Sequence, residues 1–121
     1  MAERHEVLAW LGDAAGEMTS EQIEEFAALS DEIAERYPDP DDRDEMQAAL
    51  TVAHRLLVEN PAAVVSELSE QRAQARQAEI DALAGLRQAA LQLIPAGDRT
   101  ESGFSREAHV DRMAVRAWLG K

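Results

Sequence analysis

The chain has 121 residues and carries 24 acidic against 12 basic side chains, a formal net charge of −12. This length suits one domain with at most a small appendage, and the 45% apolar content is enough for a packed core, which excludes wholesale disorder. The absence of cysteine excludes disulfides, thiolate metal sites and thiol nucleophiles. Helix-favouring residues predominate and no run of β-branched residues alternates, so we predict an all-α fold.

Two amphipathic segments open the chain. The first predicts a helix over residues 3–14, with Trp10 among its buried side chains. The second begins at "TSEQ", where Thr19 and Gln22 are spaced as a capping box. Its apolar face follows at helical spacing and comprises Ile23, Phe26, Ile33 and Tyr37.

The sequence "PDPDDRD" is predicted to end the second helix and to start a third. Asp39 is expected to cap it and Pro40 to lie in its first turn, where a proline is tolerated. Its apolar face comprises Met46, Leu50, Ala53 and Leu57. We expect this helix to end near Asn60 and to complete an acidic antiparallel bundle over residues 1–68.

A long fourth helix is predicted to start at once, with Asn60 as its cap and Pro61 at its first position. A continuous helix to Ile94 would be about 50 Å long at ~1.5 Å per residue. A compact chain of this size is only roughly 35 Å across. The helix must therefore project from the molecule, pair with a second chain or break near Gly85.

The middle of this helix, "SEQRAQARQAE", offers only alanine as apolar residues. A helix so polar on every side is typical of a solvent-exposed bridge, and we assign that role to residues 69–79. The alternative is an alanine-lined seam that pairs with a second chain. A new apolar face follows and comprises Ile80, Leu83, Ala90, Leu91 and Ile94. Residues 80–121 are therefore predicted to form a separate trihelical unit.

Charge is distributed unevenly along the chain. Residues 1–45 hold three arginines against fifteen acids, residues 46–98 four arginines against six acids, and residues 99–121 five basic residues against three acids. The corresponding net charges are −12, −2 and +2. Net acidity disfavours casual contact with nucleic acid, so the change of sign in the last segment is informative.

The last twenty residues have the pattern of two short helices joined by a tight turn. Such a pair needs small residues where the helices touch, which Ser105 and Ala108 supply, and a turn of three or four residues, which "HVD" supplies. Asp111 is expected to cap the second helix. We expect Val110, Val115 and Trp118 to pack against Leu83, Leu91 and Ile94 of the preceding helix. Only Gly120 and Lys121 follow Leu119 in the sequence, and we expect the preceding helix to support the unit.

This segment resembles the helix-turn-helix of bacterial DNA-binding regulators. The matching residues lie where that family keeps apolar or small side chains: Phe104, Ser105, Ala108, Val110, Val115 and Trp118. The sequence departs from the family at His109, which stands where a glycine with positive φ is usual. A non-glycine residue there costs about 1 kcal/mol, although histidine tolerates this conformation better than most residues.

The resemblance implies that the second helix enters the major groove of DNA. The residues that it would place against bases or nearby phosphates are Arg112, Met113 and Arg116, with Lys121 just beyond the helix. Thr100, Ser102 and Arg106 would lie where the first helix of the family meets backbone phosphates.

The sequence therefore predicts a cytoplasmic DNA-binding transcriptional regulator that acts as a homodimer on double-stranded DNA. Its acidic bundle would serve dimerisation or bind a basic protein. The alternatives are an acidic interaction module with a structural tail and an antitoxin-like protein that performs both roles. No sequence feature marks an enzyme, a cofactor or a metal site, and no segment has the ~20 apolar residues that span a bilayer.

Overall fold

A computed structural model describes residues 3–121, which form an all-helical structure without strands. The six α-helices are α1 (Arg4–Leu11), α2 (Ser20–Arg36), α3 (Arg43–Val58), α4 (Pro61–Leu93), α5 (Glu101–Ala108) and α6 (Arg112–Trp118). Short 3-10 helices at Gly12–Glu17 and Pro40–Asp42 precede α2 and α3. The chain divides into two compact units, 1–69 and 70–121, whose boundary lies within α4.

The first helix is shorter than predicted. It ends at Leu11 because Gly12 adopts φ +60°, and a 3-10 helix follows instead of a further α-helical turn. The prediction that Trp10 is buried is also wrong, since 37% of this residue is exposed. Its ring stacks on Phe26 at a centroid distance of 5.3 Å, and its indole N–H donates to the Gln47 side chain at 2.9 Å. The indole thus covers the edge of the core and keeps its polar end near solvent.

The core of the N-terminal unit is built from α1, α2 and α3. The predicted capping box is confirmed, because Gln22 N–H donates to Thr19 Oγ1 and Thr19 N–H donates to Gln22 Oε1. Phe26 is only 1% exposed and lies at the centre of the apolar cluster. The other buried members are Val7, Leu11, Ile23, Ile33, Leu50 and Ala53. The apolar faces predicted for the second and third helices therefore meet as expected.

Capping residues determine where the helices on either side of the two junctions of α3 begin. Asp39 accepts from the Asp41 N–H and caps the 3-10 helix, so that α3 itself starts at Arg43. Asn60 accepts from the N–H groups of Ala62 and Ala63 and starts α4 with Pro61 at its first position, as predicted.

The fourth helix is continuous from Pro61 to Leu93 and passes through Gly85 without a break. Every residue from 65 to 85 is exposed, including the polar segment that the sequence assigned to a bridge. The helix is therefore stabilised over this stretch by its own backbone hydrogen bonds and not by burial of a side in this chain.

The core of the C-terminal unit is small. Ala90 and Val115 are fully buried and Phe104 is 4% exposed, with Leu86, Ala89 and Ile94 packed around them. The predicted packing of Leu83 and Leu91 in this core is wrong, because these residues are 47% and 38% exposed. Leu91 points about 100° away from Ala90 around the helix, and Leu83 lies two turns before Ala90, beyond the part that α5 and α6 cover.

Truncating Phe26 tests the N-terminal core. We expect Phe26→Ala to lower the free energy of unfolding by ~3–5 kcal/mol, since it removes a buried aromatic ring and leaves a cavity. The matched control is Leu56→Ala on α3, whose side chain is 40% exposed and should cost less than about 1 kcal/mol. Urea unfolding followed by far-ultraviolet circular dichroism measures both, and equal losses would contradict this description of the core.

Candidate nucleic-acid interface

The start of α5 is set by Thr100. Its hydroxyl accepts from the Gly103 N–H at 3.0 Å, and the helix runs for eight residues from Glu101. A Cβ at Gly103 would lie 2.9 Å from Thr100 Oγ1, so the absence of a side chain at this position lets the cap approach closely. The Thr100 hydroxyl, which the sequence assigned to phosphate contact, therefore has a structural role in starting the helix.

The turn between α5 and α6 depends on a left-handed residue. His109 adopts φ 55° and ψ 42°, the conformation expected for a position that usually holds glycine. The N–H groups of His109 and Val110 both donate to the Ser105 carbonyl, and the Ser105 hydroxyl donates to the Val110 carbonyl. Ser105, predicted as a small contact residue, thus joins the end of α5 by hydrogen bonds to the turn that leads into α6.

Asp111 caps α6 as predicted, accepting from the Met113 N–H at 2.7 Å. Arg112 and Met113, the first two residues of this helix, are exposed, and Met113 presents 72% of its surface to solvent. Val115 points into the core and is fully buried. The seven-residue helix therefore has one apolar side that holds it and a free side that begins with Arg112.

The carboxylate of Glu101 forms ion pairs with two cations, Arg116 in α6 and Lys121 just after α6. The Arg116 guanidinium donates to Glu101 Oε2 at 3.0 Å, and the Lys121 ammonium donates to Glu101 Oε1. The Glu101 side chain is only 13% exposed, whereas those of Arg116 and Lys121 are 40% and 52% exposed. The hydrogen bond from Lys121, with the charge of Arg116, lowers the pKa of Glu101 below its ordinary value although partial burial opposes the shift.

The predicted DNA-contacting residues thus differ in their surroundings. Thr100, Arg106, Arg112, Met113 and Lys121 are exposed, whereas Ser102 and Arg116 are half-buried. Arg116 and Lys121 already share a carboxylate, while Arg106 and Arg112 present their guanidinium groups to solvent on α5 and α6.

Sequence reasoning missed Glu101. An acid in the first turn of a helix is ordinarily explained by the helix dipole, and that signal suggests no partner elsewhere in the chain. Its actual partners are 15 and 20 residues away, at spacings that only the folding of α6 against α5 brings together.

The part of the chain that the structure describes contains no group of three or more acidic or histidine side chains placed to hold a metal ion. None of its helices is long and apolar enough to cross a membrane. The ionisable side chains of the α5–α6 pair are arginines, Lys121, His109 and the carboxylates of Glu101, Glu107 and Asp111.

The Glu101 ion pairs predict an acid-sensitive stability. Because the folded-state pKa of Glu101 is depressed, its contribution is fully present above the pKa of the unfolded chain and is lost as pH falls through the folded-state value. We expect Glu101→Gln to be less stable than the wild type at pH 7 and to approach it at pH 3. Thermal unfolding at both pH values measures this. The matched control is Glu107→Gln, which removes the ion pair with Arg99. If the difference in stability between Glu101→Gln and the wild type is the same at pH 3 as at pH 7, the prediction is contradicted.

Comparison with protein-family models, curated proteins and solved structures returns no match for this chain. The function of the α5–α6 pair must accordingly be inferred from its own geometry and charge.

Proposed function

We propose that the chain is a cytoplasmic DNA-binding regulator that acts without catalysis and reads double-stranded DNA with the exposed side of α6. The observation that supports this most is the position of Arg112 and Met113. Both are exposed at the start of a capped short helix whose opposite side is held by Val115. In helix-turn-helix proteins the early residues of the second helix are those that contact base edges.

Each exposed group suits a different part of a DNA duplex. The planar guanidinium of Arg112 can donate two parallel hydrogen bonds to a guanine edge, and the exposed thioether of Met113 offers apolar contact to a thymine methyl group. Arg106, exposed in the last turn of α5, is suited to a backbone phosphate. The proposed recognition therefore combines base contacts from α6 with phosphate contacts from α5.

Glu101 is expected to limit this affinity. Its carboxylate occupies Arg116 and Lys121, which would otherwise be available to phosphates, and it repels DNA by its own charge. To bind a phosphate, each of these two cations must either break its ion pair with Glu101 or contact the carboxylate and the phosphate at the same time. We infer that DNA binding depends mainly on Arg106 and Arg112. Arg116 and Lys121 contribute less, because their ion pairs with Glu101 compete with binding to phosphate.

Two copies are proposed to act together. A single small module covers only about 600–1,000 Å² of protein surface, and helix-turn-helix proteins commonly compensate by binding two half-sites as a two-fold dimer. The acidic N-terminal unit would then remain available to a basic protein partner.

Replacing the exposed arginines tests the proposal. We expect Arg112→Ala to lower the affinity for a selected duplex by about 1–3 kcal/mol, and Arg106→Ala to reduce the salt dependence of binding by about one phosphate contact. Selection from random duplexes first supplies the site, and fluorescence anisotropy at several salt concentrations then measures affinity. The control, Arg72→Ala, removes the same charge from the exposed part of α4 and should leave affinity almost unchanged. Equal effects of all three substitutions would contradict the proposed interface.

Removing the carboxylate tests the role of Glu101. We expect Glu101→Gln to bind the same duplex more tightly than the wild type, with a steeper fall in affinity as salt increases, because Arg116 and Lys121 are released to phosphates. The control, Glu107→Gln, makes the same change of charge on α5. If both variants gain equally, the effect is one of net charge and not of the ion pairs with Glu101.

The competing function is that of an acidic interaction module whose C-terminal helices only pack. It is supported by the net charge of −12 in residues 1–45. Failure of the wild-type protein to bind any duplex at low salt would favour this alternative, and a pull-down with a basic protein would then be the relevant assay.

A further inference from the structure

We propose that α4 pairs with α4 of a second copy of this chain, in antiparallel orientation, through one stripe of its C-terminal part. The stripe consists of Ile80, Ala84, Arg87 and Leu91. The inference rests on the proposed function, because it identifies the surface that would join two DNA-binding units.

The stripe is exposed and, apart from Arg87, apolar. Ile80 is 60% exposed and Leu91 38%, although both are large aliphatic side chains. Together with Leu83 and Trp118 they line an open groove of about 530 Å³. Trp118 of α6 forms one wall of this groove while it also packs on the core of the C-terminal unit. The groove therefore lies beside the α5–α6 pair, and no side chain of the described structure fills it.

The stripe has the spacing of a coiled-coil seam. Its residues follow one another at intervals of 4, 3 and 4, which keeps them on one side of an α-helix. The core of the C-terminal unit uses a different side of α4, with Leu86, Ala89 and Ala90. The fold thus leaves a second helical face with the correct period for a partner helix.

The order of these intervals favours a second copy of the same helix. Since 4, 3 and 4 read the same in both directions, an antiparallel copy aligns Ile80 with Leu91 of the second copy and Ala84 with Arg87 of the second copy. The interface would then be isologous, with each contact made twice about a two-fold axis. Two large aliphatic residues meet at each end, and the small Ala84 leaves room for the Arg87 side chain.

Charge supports the antiparallel orientation. Asp81 is exposed beside Ile80 at one end of the stripe, and Arg87 is exposed near its middle; Asp81 also accepts a hydrogen bond from Gln77 on the same helix. Antiparallel pairing brings each Arg87 within reach of Asp81 of the second copy. Parallel pairing would set Arg87 against Arg87, which is repulsive. A helix of the same chain therefore complements the stripe in shape, spacing and charge.

Sedimentation equilibrium without DNA tests the pairing. We expect the wild type to be a dimer, and Ile80→Lys with Leu91→Lys to raise its dissociation constant at least about a hundredfold. The matched control is Val65→Lys with Leu68→Lys, which makes the same changes on exposed residues of the same helix, 60% and 36% exposed, outside the stripe. Its dissociation constant should stay near that of the wild type. A wild type that is monomeric at millimolar concentration, or a dimer that only the control variant weakens, would overturn the inference.

A charge exchange tests the orientation separately. Arg87→Asp alone should weaken the dimer about tenfold, because it sets two acids together in each of two symmetric positions. Combining it with Asp81→Arg should restore the wild-type dissociation constant if the helices are antiparallel. Failure of this rescue would overturn the antiparallel arrangement.

Binding to a single half-site duplex separates this inference from the proposed function. A stripe variant that is monomeric should bind the half-site with wild-type affinity and lose only the additional affinity for a two-site duplex. A wild-type chain that dimerises through the stripe but binds no duplex would leave the pairing valid and remove the proposed function.

Discussion

The C-terminal unit depends on burying Val115, Phe104 and Ala90 against one another. Helices α5 and α6 have eight and seven residues, well below the ~12–15 at which an isolated helix becomes even marginally stable in water. Their caps satisfy backbone groups, but only the shared apolar core offsets the entropy of ordering them. Helix α4 contributes Ala90, which is fully buried in one cluster with Phe104 and Val115. The exposed side of α6 is therefore held in place by packing on its opposite side.

The Glu101 ion pairs affect both stability and the proposed function at the same surface. They tie the first turn of α5 to the end of α6 and so reinforce the arrangement that the small core creates. They also occupy two of the cations that a DNA phosphate would need. A carboxylate in this place makes the pair of helices more stable at neutral pH and less attractive to DNA, so the proposed affinity reflects a compromise between the two.

Charged side chains lie outside both apolar cores in the described part of the chain. Within residues 3–121 no polar or charged side chain is buried, so neither core has to accommodate the desolvation of a charge. All the acidity of the N-terminal unit is accordingly on its surface. Salt will weaken both the repulsion among these acids and the proposed attraction between Arg106 or Arg112 and DNA, although the two effects act on different parts of the chain.

The sequence by itself determined the helices and many of their ends, because capping and apolar period are local. Thr19 with Gln22, Asn60 with Pro61, and Asp111 were all predictable from neighbouring residues, whereas the left-handed conformation of His109 was implied by the resemblance to helix-turn-helix regulators. The faces of α2 and α3 were predictable for the same reason. Only the tertiary structure decided that Trp10 covers a core edge, that Leu83 and Leu91 remain exposed, and that Glu101 holds Arg116 and Lys121. These features depend on which elements meet in space, and the spacing of residues along one helix carries no information about a partner 15 or 20 residues away.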